Sequence, residues 1–356
     1  MHQLRSFTSS VLPPHERGVE LGERHAEDIA RTAASYRRLF TARATRPFDV
    51  DAWAERAWAR IEELAPWAAP EIRGIAEGAG IPAREVAAIN ARTELLAIAD
   101  PTGTGECSSV VVLPPDGPPV AVQTWDWYDA MRDNWLHWRI PRPDGRVVET
   151  VTEFGMLAKI GVARSGEGAG IGVLLNMLHH QADGADDDGQ AIGHPVHLLS
   201  RQILDEANDL GEALVIAKAA STSASTSLTL VEAAGRAVSV ELSPAGPGML
   251  EPEDGVLVRT NHFVTAEKEA GCLADTIGPS SRIRRRTLLD AFGTTRPRSA
   301  ADVIEAMHDH RDVGGVCAHP DESMDPLLWH ATLATVSLDP VNGTLDVTPG
   351  GPCARG

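Results

Sequence analysis

Cys107 stands where a turn-rich stretch, Pro101-Thr102-Gly103-Thr104-Gly105-Glu106, enters the apolar run Cys107–Leu113. A thiol at the mouth of such a run, with a polar flank, is placed as a nucleophile would be. A strand-start cysteine without chemistry fits the position equally well, so its surroundings must decide. Nineteen residues on, Asp126 lies between Trp125 and Trp127. Much later, Thr260-Asn261-His262 closes another apolar run. A short amide side chain at a strand end is suited to donate a hydrogen bond to a developing oxyanion. Nucleophile, carboxylate and amide donor are together the parts of an acyl-transfer site.

Other chemistries find less support. Gly166, Gly168, Gly170 and Gly172 alternate, but the spacing is not that of a dinucleotide or phosphate loop, and no GxSxG is present. His194-Pro195-Val196-His197 lacks a third ligand, with His179 and His180 only loosely near, and reads as ordinary loop and helix-surface histidine. His308-Asp309-His310 reads the same way. No CxxC occurs among Cys107, Cys272, Cys317 and Cys353. The three cysteines other than Cys107 are expected to be small buried apolar residues, and no metal site is expected.

Positioning these groups needs a hairpin and a later strand. The segment 114–119 is a Pro/Gly/Asp turn between Cys107–Leu113 and Val120–Trp125, which brings Asp126 back toward Cys107. Further strand-like runs are Trp135–Ile140, Val147–Thr152, Ile171–Asn176, Ser227–Val231, Ala237–Leu242, Val256–Thr260, Ala331–Leu338 and Thr344–Val347. The first hundred residues carry helical spacing: His15 to Ala42, a helix capped by Asp51 through Leu64, one from Pro70 ended by Gly78 and Gly80, and one from Pro82 to Ala99. Later helices are expected near 195–208, 211–220, 281–292 and 300–310. Grouped strands and helices predict α+β layers rather than alternating βαβ units. Asp183 to Gly189 reads as a solvated loop.

The 356 residues carry a net charge of −18, of which −15 falls on residues 107–356. So negative a surface excludes nucleic acid and anionic lipid as partners. No apolar stretch is long enough to cross a bilayer, and the N-terminus lacks a secretory pattern, so a cytoplasmic location is expected.

The ordered set of motifs resembles the isopenicillin N acyltransferase family of N-terminal nucleophile hydrolases. Gly74-Ile75-Ala76-Glu77-Gly78-Ala79-Gly80 and Ile89-Asn90-Ala91-Arg92-Thr93-Glu94-Leu95 are similar to its helical pro-segment. Gly161-Val162-Ala163 and Gly172-Val173-Leu174-Leu175-Asn176 are similar to its central sheet, and Ser281-Arg282-Ile283-Arg284 to the helix after the Thr-Asn-His strand. Ala331 to Val336 and Pro349 to Cys353 are similar to its closing hairpin.

The resemblance implies a four-layer αββα sandwich preceded by a helical pro-segment. Residues 1–106 would be the small fragment and 107–356 the catalytic one, made by self-cleavage at Glu106–Cys107. Cys107 would then be nucleophile and, through its new α-amine, base. Asp126 would orient that amine and Asn261 would donate to the oxyanion. Trp125 and Trp127 would line an acyl pocket or pack in the core, and His262 would be structural rather than catalytic while near the substrate. Glu106 stands where the family commonly has glycine, and Ala318 where its Ile-Cys-Arg-His-type motif has arginine.

The function expected is a self-processing thiol amidohydrolase acting on a linear amide of a small acylated molecule, without cofactor. The alternatives are an acyltransferase using acyl-CoA as co-substrate and an uncut, non-catalytic ligand-binding relative. The expected partners are the small substrate and, if cut, the chain's own two fragments as a heterodimer. The acidic surface and Ala318 favour a substrate neutral or cationic near the scissile bond. The run Arg282, Arg284, Arg285, Arg286 is read as a solvated helix face.

Overall fold

The computed structural model describes residues 3–102, 107–184, 192–294 and 296–355. Glu106 and most of the Asp-rich segment after Gly184 lie outside the described residues.

The N-terminal segment forms α1 (Pro14–Arg24), α2 (Ala26–Arg43), α3 (Val50–Leu64), α4 (Ala69–Ala79), α5 (Ala83–Asn90) and α6 (Arg92–Ala99) after a short strand β1 (Ser6–Thr8). Two expected long helices are each broken, at His25 and at Ala91, where the backbone leaves helical angles. Neither break carries glycine or proline, so nothing local announces it. Asp49, not Asp51, caps α3, its side chain accepting from the Ala52 N–H at 3.1 Å. Helices α1 and α4 meet through Gly18 and Gly22 against Gly74 and Gly78: a Cβ on Gly18 would lie 2.3 Å from the Glu71 carbonyl oxygen. Only paired glycines let two helix backbones approach so closely.

The strands that follow are β2 (Ser108–Val112), β3 (Val120–Tyr128), β4 (Trp135–Pro141), β5 (Val147–Glu153), β6 (Ile160–Arg164) and β7 (Gly170–Met177). Helices α7 (Val196–Glu206) and α8 (Leu210–Ala219) then precede β8 (Thr226–Glu232), β9 (Arg236–Leu242), β10 (Gly248–Leu250) and β11 (Val256–Arg259). After two one-turn helices, α9 (Ala266–Glu269) and α10 (Ala274–Ile277), come α11 (Ser280–Thr294), α12 (Ala300–Ala306), β12 (His330–Asp339) and β13 (Thr344–Pro349).

One sheet has the order β1-β4-β5-β6-β7-β8-β9-β10, the other β11-β2-β3-β12-β13. Every pairing is antiparallel except β1 with β4. Strand alternation sorts side chains into layers. Val111, Ala121 and Val336 of the small sheet meet Val151, Ile160, Leu174 and Val231 of the large one. Val110, Val112 and Val122 point outward onto Leu288 of α11 and Val303 and Ile304 of α12. Ile171, Val173 and Leu175 face α7 and α8, joined there by α1, α4 and α5. The architecture is the expected α+β, αββα sandwich. The helical N-terminal segment is no separate body, because two of the three apolar clusters draw residues from both sides of position 106.

Candidate active site

Cys107 and Asp126 meet at one end of the β2–β3 hairpin, whose register pairs Ser108 with Thr124. The Cys107 Sγ is buried and lies 3.5 Å from the Asp126 carbonyl oxygen. Asp126 itself is fully buried. Asn261 follows the end of β11, whose partner is β2, so Asn261 and Cys107 share the same sheet end.

The side chains that join these groups come from elsewhere. Arg284, on α11 and wholly buried, donates through Nη1 to the Cys107 carbonyl at 2.9 Å and to Ser108 Oγ at 2.8 Å. Its Nη2 donates to Asn261 Oδ1 at 3.0 Å. Asn176, at the end of β7 in the facing sheet, donates Nδ2 to the same Cys107 carbonyl at 3.0 Å, and its Oδ1 accepts from Ser109 Oγ at 2.5 Å. Asn261 Nδ2 donates to the Met177 carbonyl at 2.9 Å. An amide nitrogen carries two hydrogens, so a second N–H remains for an oxyanion.

Lys159 lies just before β6, with its Nζ 4.2 Å from the centre of the Trp125 ring and 5.3 Å from that of Trp127. Burial, reinforced by Arg92, lowers this amine to about 7 against the opposing pull of Glu153 and Cys107. Burial in turn raises the Cys107 thiol above its ordinary value, with Lys159 acting against that rise and Asp126 adding to it. The two groups thus feel each other electrostatically, each drawing the other toward its charged form.

Trp125 and Trp127 are both buried. Trp127 donates to Tyr36 Oη at 3.0 Å and carries the Arg92 guanidinium over its ring at 4.2 Å. Arg92 in turn donates to Glu153 at 2.8 Å. The end of α6 reaches the same place, since Leu96, Ala97 and Asp100 line one small cavity with Trp127, Tyr128, Met177 and His179. His262 is held by Ser281 Oγ at 2.8 Å and Thr260 Oγ1 at 3.1 Å. Burial, helped by Arg259 and the arginines of α11, pushes it down to about 3, so its ring is neutral. That suits the structural reading.

Some expectations need correction. His179, His180, His194 and His197 are all buried rather than on loop and helix surfaces; His197, for instance, packs inside α7 and contacts Thr93 Oγ1 at 3.1 Å. Asp183 is not freely solvated, because its carboxylate accepts from the His180 N–H at 2.9 Å and Ser225 Oγ at 2.6 Å. Within the arginine run only part of the face is solvated. Arg282 pairs with Asp275 and Glu269, and Arg286 with Asp290, whereas Arg284 turns inward. Cys272 and Cys353 are only partly buried.

The sequence model of the acyl-coenzyme A:6-aminopenicillanic acid acyl-transferase family matches residues 116–354. The chain belongs to this family. The matched span of the acyl-transferase family holds Asp126, Lys159, Asn176, Asn261 and Arg284 and begins after Cys107. An acyl-coenzyme A:6-aminopenicillanic-acid-acyltransferase (40 kDa form) of Emericella nidulans is 29% identical over 231 residues, which are 64% of this chain and 60% of that protein. The match thus spans less than two thirds of the curated relative's length. Penicillin V acylase from Agrobacterium tumefaciens superposes with a TM-score of 0.46 at 14% identity over 68% of this chain and 83% of its own. A variant of conjugated bile acid hydrolase from Clostridium perfringens gives 0.46 at 13% over 68% and 92%. Among the described residues no helix is long and apolar enough to cross a membrane.

Proposed function

We propose that the protein is a thiol-dependent amidohydrolase that activates itself by cutting its chain before Cys107. The observation that carries this reading is the buried Cys107 thiol beside Asp126, its own carbonyl gripped by Asn176 and Arg284, with Asn261 fixed alongside. Held in this way, the Cys107 backbone is fixed through its carbonyl, while its Sγ rests against the Asp126 carbonyl.

In self-cleavage the Cys107 Sγ attacks the carbonyl carbon of Glu106 as the C–N bond breaks, and the nitrogen leaves as the α-amine of Cys107. Water then hydrolyses the thioester, which releases the Glu106 carboxylate and restores the thiol. The α-amine, with an ordinary value near 7.7–8.0, afterwards takes the thiol proton as sulfur attacks a substrate amide. The Asn261 N–H bonds the oxyanion, the amine product leaves protonated, and water resolves the acyl-enzyme. Asp126 balances the charge of the α-amine. The substrate is an acylated small molecule.

Acyl transfer to an amine is the second reading. The family's own name and the Emericella nidulans relative favour it. It uses the same thioester and differs only in what resolves it. Against a large polyanionic donor stand the net charge of the chain and the pairing of Arg282 and Arg286 with acidic neighbours.

Intact-mass measurement of the wild-type chain and Cys107→Ala tests the proposal. The wild type should divide from 38.0 kDa into pieces of about 11 and 27 kDa. They should stay together under native conditions because they share two apolar clusters. Cys107→Ala should remain whole. A wild-type chain that is active while uncut would overturn the proposal. Cut protein that forms amides from acyl-CoA faster than it hydrolyses them would establish the second reading instead.

A further inference from the structure

Four metal-binding side chains that the acyl-transfer chemistry does not use converge beside the start of β12. They are His310, Cys317, His319 and Cys353, whose ligand atoms all lie within 4.8 Å of one another. Cys317 Sγ stands 3.5 Å from Cys353 Sγ and 3.7 Å from His319 Nε2, and Cys353 Sγ stands 3.6 Å from that same nitrogen. A tetrahedral zinc ion with Zn–S near 2.3 Å and Zn–N near 2.0–2.1 Å sets its ligand atoms about 3.8 Å apart for S···S and about 3.6 Å apart for S···N. The three separations therefore trace one face of such a tetrahedron. His310 packs its ring against His319 with centroids 5.0 Å apart and planes tilted by 35°, and it is exposed, so it is free to turn inward as the fourth ligand.

The local backbone builds this arrangement. Cys317 and His319 are two residues apart, and their side chains lie together, with Sγ 3.7 Å from Nε2. The loop from α12 closes on itself where the Cys317 N–H donates to the Asp309 carbonyl at 3.0 Å, and this brings His310 over the pair. Ala318 is tied to β12 through its N–H to Thr332 Oγ1 at 3.0 Å and its carbonyl from the Thr332 N–H at 3.0 Å. Cys353 arrives from the 3₁₀ turn Pro352–Arg355, which follows β13. Gly351 permits the approach, because a Cβ there would lie 2.4 Å from Cys317 Sγ. Two sulfurs and two imidazole nitrogens in tetrahedral array are the donor set of zinc rather than of a hard cation.

We propose that His310, Cys317, His319 and Cys353 bind a structural Zn²⁺ ion that clamps the C-terminal turn to the loop before β12. All four positions are filled by protein, so the ion has no open site for water or substrate and acts as a brace. It braces the start of β12, where Thr332 pairs with Asp126. Two thiolates also neutralise the dication, so the buried Cys317 gains a satisfied partner.

Zinc and cobalt binding by the full-length Cys107→Ala chain test this site without reference to catalysis. That background removes the reactive thiol. Protein stripped by chelator in reducing buffer should take up about one Zn²⁺ or Co²⁺ per chain. The cobalt form should show the intense visible bands of tetrahedral Co²⁺ and thiolate-to-cobalt charge transfer. Cys353→Ser, in the terminal turn, and His319→Ala should each lose the charge-transfer intensity or the stoichiometric uptake, while Cys272→Ser keeps both. Three results would each overturn the site: far less than one metal per chain, a pale octahedral cobalt spectrum, or a Cys317–Cys353 disulfide in place of metal under reducing conditions. An unchanged cobalt spectrum in Cys353→Ser would do the same. Because Cys272→Ser and the parent chain carry the readout, misfolding of one variant leaves the test intact.

Discussion

Arg284 fixes which way Asn261 faces. Its Nη2 donates to Asn261 Oδ1 at 3.0 Å, so the amide oxygen is turned toward α11 and Nδ2 toward Met177 and the Cys107 end of the sheet. The same guanidinium holds the Cys107 carbonyl through Nη1. One buried cation therefore orients both the Cys107 backbone and the Asn261 amide. Its planar fork makes this possible in a way a lysine cannot reproduce.

Asn261→Ala in cleaved, folded protein should lower kcat roughly 100- to 1000-fold, with KM little changed, as expected for an oxyanion donor. Arg284→Lys should cost less. The lost charged hydrogen bond is worth about 1.5–3 kcal/mol, roughly 10- to 100-fold in rate. Since Arg284 acts partly through Asn261 and partly on the Cys107 carbonyl, the double variant should lose less than the sum of the two single losses. Steady-state kinetics on the four proteins checks this. Full additivity would separate the two residues.

If the chain cuts itself before Cys107, Lys159, which acts electrostatically on the Cys107 thiol, is a candidate base for that step. Burial lowers it to about 7, so it turns neutral as pH rises through 7. The rate of self-cleavage, followed by gel from a freshly refolded chain, should rise across that pH and then level off. Lys159→Met keeps the volume and removes the base. It should slow cleavage by roughly 100-fold or more and abolish the inflection. Cleavage at the wild-type rate with an unchanged profile would place the base elsewhere.

Cys107, Asp126 and Asn261 were legible because each sits at one end of an apolar run, and strand ends are visible from composition. The hairpin turn at 114–119 set their approach. Arg284 was not legible, since Arg282, Arg285 and Arg286 surround it and no apolar stripe says which of them turns inward. Asn176 belongs to the facing sheet and Lys159 lies just before its strand β6, and only the stacking of β7 on β2 brings Asn176 to Cys107. The Cys317–Cys353 meeting spans 36 residues and depends on β13 returning along β12. Strand β6 was short and carried a glycine, which hid its pattern. The resemblance supplied it through Gly161-Val162-Ala163.

Glu71 lies between two buried arginines, accepting from Arg17 at 2.6 and 2.9 Å and from Arg201 at 3.1 Å. Burial pushes its carboxyl up, but Arg201 and Arg17 outweigh that and hold it below its ordinary value. This links α1, α4 and α7, and so ties the N-terminal segment to the sandwich. Glu71→Gln leaves buried Arg17 without its counter-ion and Arg201 with Asp205 alone, and should cost about 3–5 kcal/mol, read as a shift in the denaturant midpoint in the Cys107→Ala background. A loss under about 1 kcal/mol would mean that water compensates the arginines.

Glu94 supplies the last prediction, because its sign is opposite to that of Glu71. It is fully buried on α6, with Oε1 accepting from the Val196 N–H at 2.9 Å and Oε2 lacking a hydrogen-bond partner among the described residues. Burial raises it to about 7 against that N–H and the pull of Arg92. A carboxyl raised in the folded state favours folding fully below its unfolded value, near 4.3. That contribution is lost as pH climbs through 7, because the folded chain then holds a proton that the unfolded chain has released. The loss is on the order of 3 kcal/mol between pH 4 and pH 8. Asp183, also raised to about 7, acts in the same direction, whereas His179, lowered to about 4, acts in the opposite one below pH 6.5. The test is therefore a difference: stability of Cys107→Ala with and without Glu94→Gln, measured at half-unit steps of pH. Glu94→Gln retains the acceptor for Val196 and carries no titrating proton. The variant should gain on its parent steadily as pH rises from about 4 to 7 and hold that gain above. Parallel curves would show that Glu94 is already ionised in the folded chain at neutral pH.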